Sequence, residues 1–99
     1  MRADSERAYA FINEHITPQV IEHFKTKQRD YSGGPAFLFL GSKGQFSDLN
    51  RKFWKLYAAV WEGKELEGEQ PIEIAEDMIG HLLLLIYTMM EEEELHEQR

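Results

Sequence analysis

Three carboxylates at the start of the last long apolar segment could bind a divalent metal ion. At about 100° per residue, Glu73, Glu76 and Asp77 fall on one face of a helix. Like charges at this spacing repel one another, so their grouping favours a bound cation, and oxygen ligands on adjacent turns suit Mg²⁺. The alternative is that these acids are only solvated, because the helix dipole favours acidic residues in a first turn.

A stripe of opposite charge lies on the segment before these acids. Asp48 and Lys52 are four residues apart and can pair on a helix, and Arg51 and Lys55 continue the basic side. If the two helices are antiparallel neighbours, this stripe faces the three acids. Asp48 would then be a fourth metal ligand, while Lys52 and Lys55 contact substrate phosphates. The alternative is interhelical salt bridging with little net stability.

A glycine-rich turn at residues 41–45 precedes the basic helix. Its backbone N–H groups and the side chain of Lys43 could hold a phosphate, as helix N-termini do. The turn lacks the spacing of a P-loop, and a plain turn is the alternative, because Gly and Ser commonly form turns.

The charge is unevenly distributed over a chain whose size suits one domain. The 99 residues have a net charge of −7: residues 1–55 hold nine basic and six acidic side chains, and residues 56–99 hold two and twelve. A pI near 5.0 argues against duplex nucleic acid as a partner. The chain has no cysteine, and no uncharged stretch reaches the about 20 residues that cross a bilayer. We therefore expect a cytoplasmic protein without a membrane partner.

Hydrophobic periodicity predicts helices along most of the chain. An amphipathic helix follows Ser5, and Thr17 with Pro18 marks either a second helix or a kink in one helix that ends near Arg29. The apolar run at 36–40 could be a strand, but we favour a short buried helix, because nothing else alternates with a period of two to pair with it. A further helix ends near Trp61, and its aromatic side chains are predicted to be core: Phe46, Phe53, Trp54, Tyr57 and Trp61.

Pro71 opens the last and longest helix at a position that suits proline. This helix has an apolar stripe and is apolar almost all round from 82 to 90, so it must be surrounded, and we expect a second subunit to do so. The tail at 91–99 is expected to fray. We predict a single all-α domain over 1–99, an antiparallel bundle of about four helices. The stripe consists of Ile72, Ala75, Ile79, Leu82, Leu83, Ile86 and Met90.

The residues at 51–56 and 71–83 resemble the all-α nucleotide pyrophosphohydrolases of MazG type, and most closely their short, often phage-encoded relatives called nucleotide-modification-associated domains. In that family a basic helix with a Lys-x-x-Arg/Lys-Leu pattern precedes a helix with two acids four residues apart. Lys52, Lys55 and Leu56 match the basic helix, and Glu73 and Asp77 match the acids.

The resemblance implies an oligomeric helical bundle that binds Mg²⁺ and handles nucleotides, with Glu73 and Asp77 as catalytic residues. It also implies a host cytoplasm if the chain is phage-encoded. The sequence departs from the pattern at Gly80, where Asn or Asp is expected, at His81, an aromatic position in the family, and at Arg51, where an acid would help to complete the metal site. Two functions follow: a nucleotide-binding protein, with pyrophosphohydrolase activity if the acidic site is complete enough, or a non-catalytic protein that docks on a host protein or sequesters a small ligand.

Overall fold

The prediction of an all-α fold is confirmed. The computed structural model describes residues 2–30 and 37–97, and every regular element in this part is a helix. The part described contains three long helices rather than about four, because the first two predicted helices form one continuous helix. The elements are α1 (Arg2–Phe11), a π-helical turn (Ile12–Ile16), α2 (Thr17–Asp30), α3 (Phe37–Val60) and α4 (Pro71–Glu97).

Pro18 explains the π-helical turn between α1 and α2. Proline has no N–H, and its ring collides with the carbonyl four residues earlier in a regular helix. The backbone N–H of Thr17 donates instead to the carbonyl of Ile12, five residues back, which widens the turn. The helix therefore continues through Pro18, and of the two sequence interpretations the single helix is correct.

Gly41 divides α3 into two helical pieces. Its backbone, with φ 62° and ψ −149°, is not helical, and positive φ is a conformation that glycine adopts without steric cost. Residues 37–40 before it are helical, as predicted for the apolar run, and residue 36 lies outside the described residues. The second piece begins near Ser42 and holds the basic stripe.

The packing places α4 at the centre of the molecule. Helix α3 lies antiparallel to α4, because Gln45 contacts His81 while Lys52 contacts Asp77. The predicted antiparallel arrangement of the basic and acidic helices is therefore confirmed. Among the described residues, no helix is long and apolar enough to span a membrane.

Helix α2 packs on a second side of α4 and runs parallel to it. Gln19 contacts Glu76, and Phe24 lies over Gly80. A Cβ atom built on Gly80 would lie 3.3 Å from the ring of Phe24, which is tighter than most real Cβ contacts. The glycine that departs from the family pattern therefore serves packing, since it lets the Phe24 ring approach the backbone of α4.

We expect Gly80→Leu to separate α2 from α4 and to lower the free energy of unfolding by about 2 kcal/mol, because overpacking forces helices apart. Gly68→Leu is not a useful control, since Gly68 has positive φ. Ala59→Leu is the control. It enlarges a side chain at a half-buried position on α3, away from the contact between the Phe24 ring and the backbone of Gly80. Urea unfolding followed by circular dichroism measures both, and equal losses would contradict the close-approach role of Gly80.

Much of the predicted core is exposed. The aromatic residues of α3 contact one another, with ring centroids of Trp54 and Tyr57 5.5 Å apart and of Tyr57 and Trp61 6.3 Å apart, but Trp61 is 78% exposed. Phe46, Phe53, Trp54 and Tyr57 are exposed as well, so the prediction that this group is core is wrong for the single chain. Among residues 3–27 and 41–94, whose side chains the structure describes, Val20 and Ile74 are the buried hydrophobic residues.

Helix α1 extends beyond the start of α4. Gln19 lies level with Glu76, which is five residues after the start of α4. Because α2 and α4 are parallel, the residues before about 14 have no part of α4 beside them. At 1.5 Å per residue this overhang is about 18 Å long. Helix α1 contacts only the π-helical turn that follows it among the described elements. The Cα radius of gyration is 16.1 Å, against about 13 Å for a compact chain of this length.

Candidate functional site

The strongest polar cluster lies where α2, α3 and α4 meet, and Asp77 is at its centre. Lys52 Nζ donates to Asp77 Oδ2 at 3.0 Å, and His23 Nε2 lies 2.7 Å from Asp77 Oδ1. The side chains of Lys52 and Asp77 are 11% and 12% exposed. Both oxygens of this carboxylate are therefore bound by side chains of neighbouring helices, and the pair is nearly removed from solvent. We call Gln19, His23, Lys52, Glu69, Glu76 and Asp77 the junction cluster.

The pKa of Asp77 lies below its ordinary value of 3.8. Burial alone would raise it, but the hydrogen bonds from His23 and Lys52, together with the charges of Lys52 and Lys27, outweigh this effect. Asp77 is therefore held as a carboxylate in the folded chain.

The other predicted metal ligands do not converge on Asp77. Glu76 is buried and accepts a hydrogen bond from Gln19 Nε2 at 3.2 Å, while Asp48 lies 3.8 Å from Arg51 Nη2 on its own helix. Glu73 is exposed in the first turn of α4. The neighbours of Asp77 in α3 and α2 are a cation and a histidine rather than further carboxylates.

Mg²⁺ was predicted at Asp48, Glu73, Glu76 and Asp77, and this arrangement does not fit it. Among the side chains that the structure describes, those of residues 3–27 and 41–94, no group of three or more His, Asp or Glu could hold a metal ion. Mg²⁺ requires near-octahedral oxygen ligation, whereas Lys52 Nζ occupies the space beside Asp77 that a cation would take. The charge of Asp77 is thus neutralised by Lys52, while the partner of Glu76 is the neutral amide of Gln19.

Two lysines one turn apart on α3 share a single carboxylate of the loop between α3 and α4. Lys52 Nζ lies 3.6 Å from Glu69 Oε1, and Lys55 Nζ lies 3.4 Å from Glu69 Oε2. Lys52, followed by the hydrogen bond from Lys55, lowers the pKa of Glu69 below its ordinary value of 4.5. Lys52 is buried and fixed by Asp77, whereas the side chain of Lys55 is 41% exposed. Lys55 is therefore an accessible cation at the edge of the junction cluster.

His81 is part of the α3–α4 contact. Its Nδ1 lies 3.0 Å from Gln45 Oε1, and because that oxygen only accepts, Nδ1 donates. Burial lowers the pKa of His81 below 6.5, with further lowering by Lys52 and Arg51, and this outweighs the opposite effect of Asp48 and Asp77. At neutral pH His81 is therefore an uncharged packing residue that fixes the register of the two helices.

The phosphate site predicted at Lys43 is partly taken by an acid of the chain. Glu92 accepts from the backbone N–H of Ser42 at 3.2 Å and from Ser42 Oγ at 3.1 Å, so a carboxylate occupies the N-terminus of the second piece of α3. Lys43 is exposed and lines a shallow groove of about 610 Å³ between α3 and α4. The tail was expected to fray from residue 91, but α4 extends to Glu97 and Glu92 holds α3, while residues 98–99 lie outside the described part.

Sequence reasoning missed three residues of the junction cluster. Gln19, His23 and Glu69 are not among the site residues that the sequence predicts, yet all three contact the predicted acids or lysines. His23 and Gln19 are four residues apart on one face of α2, which is a weak signal for a polar contact surface. Nothing in the loop sequence distinguishes Glu69 from Glu65 or Glu67.

Comparisons of this chain with protein-family models, with curated proteins and with solved structures found no match.

Proposed function

We propose that this chain is a nucleotide-binding helical protein of the MazG-like type that its sequence resembles, and that Lys52 and Lys55 bind the phosphates. The observation that supports this most is the shared ion pair of both lysines with Glu69. Glu69 lies on a loop and is solvent-accessible, so another anion can replace it. A polyphosphate has more negative charge and more acceptor oxygens than one carboxylate, and lysine binds phosphate as a point charge.

Of the two lysines, Lys55 is the one that a ligand from solvent meets first, with Lys52 buried behind it. Lys52 is oriented by Asp77, and Lys55 extends toward the connecting loop. A fixed cation beside a mobile one can hold adjacent phosphate groups without reorganising the helices. A cytoplasmic location, that of the host if the chain is phage-encoded, belongs to this proposal.

Pyrophosphohydrolysis with Mg²⁺ at Glu73 and Asp77 stays a prediction from the resemblance. In the arrangement described, Asp77 serves to hold Lys52 and His23 rather than a metal ion. We therefore propose binding, in which Asp77 is a positioning residue for Lys52.

We expect Glu69→Gln to bind nucleoside triphosphates severalfold more tightly than the wild type, because the competing carboxylate is removed. Lys55→Met should weaken binding about tenfold, since one charge-assisted contact is lost. Lys64→Met is the matched control. Lys64 lies on the loop that carries Glu69, but it pairs with Glu62 instead of Glu69. Isothermal titration with ATP and with deoxynucleoside triphosphates, with and without Mg²⁺, measures all four proteins.

Nucleotide affinities that neither substitution changes in the expected direction would refute the phosphate site. If Glu69→Gln binds no better and Lys55→Met binds no worse than the wild type, the lysines serve only to pair with acids. Absence of binding at millimolar nucleotide would remove the nucleotide proposal altogether.

A non-catalytic interaction protein is the second candidate, favoured by one observation. Asp77, Glu76 and Asp48 all have side-chain partners within the chain, so the junction cluster holds the helices together without any ligand. In that case the exposed apolar surface, rather than the lysine pair, would be the functional surface. The titration distinguishes the two candidates, because only the nucleotide proposal requires Lys55.

A further inference from the structure

Three aromatic rings on α3 form a small cluster with a defined shape. The ring centroids of Phe53 and Trp54 are 5.2 Å apart, those of Trp54 and Tyr57 are 5.5 Å apart, and those of Phe53 and Tyr57 are 6.4 Å apart. The planes of Phe53 and Tyr57 are inclined to each other by 32°, and Trp54 stands at 79° and 72° to them. Two rings of similar tilt with a third ring across them therefore outline a corner. We call Phe53, Trp54 and Tyr57 the ring cluster.

The ring cluster faces solvent rather than α4. Helix α3 contacts α4 through Lys52, which donates to Asp77. At about 100° per residue, Trp54 and Tyr57 lie roughly on the opposite side of α3 from Lys52. The exposed fractions are 46% for Phe53, 57% for Trp54 and 37% for Tyr57. A ligand in solvent can therefore reach all three rings.

The surroundings of the ring cluster favour a cation that has no N–H group. No Asp or Glu occurs between residues 49 and 61, so the neighbouring turns of α3 provide no carboxylate for an ordinary ammonium group. A primary ammonium is also strongly hydrated, and the ring faces alone cannot replace its water. A quaternary ammonium group has no N–H to donate, and the negative face of an aromatic ring attracts it directly.

The basic residues near the ring cluster are paired with acids of the chain. Arg51 Nη2 lies 3.8 Å from Asp48 Oδ1, and Lys55 Nζ lies 3.4 Å from Glu69 Oε2. At about 100° per residue, Lys55 lies on the side of α3 away from the ring cluster. The chain as a whole has a net charge of −7, which attracts cations to its surface. The electrostatic surroundings are therefore compatible with a bound cation.

We propose that the ring cluster binds the quaternary ammonium group of a free small molecule of choline type. No two of its ring centroids are more than 6.4 Å apart, so one cation above the cluster lies within about 6 Å of each, the range of a cation–π contact. The rings belong to little more than one turn of a single helix, so they contact the head group and little else, which suits a small ligand. The site shares no residue with the proposed phosphate site and goes beyond nucleotide binding.

A titration with choline chloride at constant ionic strength tests the site, with the two indole N–H resonances observed by NMR. We expect the resonance of Trp54 to shift and that of Trp61, which lies outside the ring cluster, to move much less. Trp61→Phe assigns the two resonances and should bind choline as the wild type does. Dimethylbutanol, the neutral carbon isostere of choline, has the same shape without the charge. It should bind about tenfold more weakly, because its cation–π contacts are missing.

Trp54→Leu keeps an apolar side chain but removes the central ring, and it should weaken choline binding at least about fivefold. Phe46→Leu is the matched control, because Phe46 is an exposed ring of α3 that lies two turns before the ring cluster. Circular dichroism checks that both variants are folded, and the comparison of choline with dimethylbutanol requires only the wild type.

Equal affinities of the wild type for choline and dimethylbutanol would overturn the proposal. Losses of equal size in Phe46→Leu and Trp54→Leu would do the same, since any exposed ring would then suffice. A peptide with a trimethyllysine side chain that binds more tightly than choline would overturn the assignment to a free small molecule.

Discussion

Ile74→Ala is expected to lower the free energy of unfolding by about 3 kcal/mol, one of the two largest effects of any single change in this chain. Ile74 is 0% exposed and stands in the first turns of α4, where the backbone N–H of Ile74 donates to the carbonyl of Gln70. Removing its side chain loses the burial of three carbon atoms and leaves a cavity. With so few buried hydrophobic residues nearby, little can move in to fill it.

Urea unfolding followed by circular dichroism measures this loss. Val60→Ala is the control, and we expect it to change the free energy of unfolding by less than about 0.5 kcal/mol, since Val60 is exposed. Equal effects of the two substitutions would mean that Ile74 is not the centre of the core. That result would also contradict the packing of α4 between α2 and α3.

The positions of the helices could be predicted from the sequence because their signals are local. Pro71 marks the first residue of α4, since proline fixes the backbone angle that a helix start requires and lacks an N–H that would be unpaired there. The end of α3 near Trp61 was also predictable from Gly63. Pro18 could not be resolved in this way, because whether a proline stops a helix or is absorbed in a π turn depends on backbone relaxation rather than on residue type.

The buried face of α4 could not be predicted from its periodicity. The stripe that includes Ile79, Leu82 and Ile86 is the most regular one, yet it is the exposed face of the single chain. Helix α4 instead packs through a mixed face with Asp77, Gly80 and His81. A helix that is apolar almost all round has no unique inner side, so its neighbours decide which face is covered. The exposed aromatic residues of α3 failed as core predictions for the same reason.

The facing of opposite charges was predictable, but the resulting chemistry was not. Spacing put Lys52 on the side of α3 that meets Asp77, and the two atoms lie 3.0 Å apart. The sequence left open whether these acids bind a metal ion or form salt bridges with lysines of the chain, since both interpretations require the same residues. In the fold, α2 packs parallel to α4 and brings the imidazole of His23 to the second oxygen of Asp77. That contact depends on tertiary packing, which no local pattern encodes.

Asp77→Asn is expected to lower the free energy of unfolding by about 3 kcal/mol at pH 7, an effect as large as that of Ile74→Ala. Lys52 would keep its charge in a nearly buried position with only Glu69, 3.6 Å away, as a carboxylate partner. Removing one member of a buried ion pair is strongly destabilising because the remaining charge stays desolvated. Asparagine conserves the size of the side chain, so the loss reflects the charge rather than a cavity.

The pH dependence separates this effect from a general loss of packing. The pKa of Asp77 is below 3.8 in the folded chain, so as the pH falls the unfolded chain takes up the proton first. The stabilisation by Asp77 is therefore complete above about pH 5 and is lost as the pH falls through 3.8 toward the folded pKa. His81, whose pKa lies below 6.5 when folded, accounts for a decrease that begins near pH 6.5 in both proteins and is larger in Asp77→Asn, because the charge of Asp77 raises the pKa of His81.

Urea unfolding from pH 3 to pH 8 should therefore show two curves, wild type and Asp77→Asn, that run parallel above pH 6.5 and converge below pH 5. Glu69→Gln is the control, because it removes the other carboxylate of Lys52 while Asp77 stays in place, so it should retain the decrease due to Asp77. Curves of wild type and Asp77→Asn that stay equally separated down to pH 3 would contradict the ion pair. They would mean that Asp77 contributes through its shape, and Lys52 would then not be oriented for phosphate by this carboxylate.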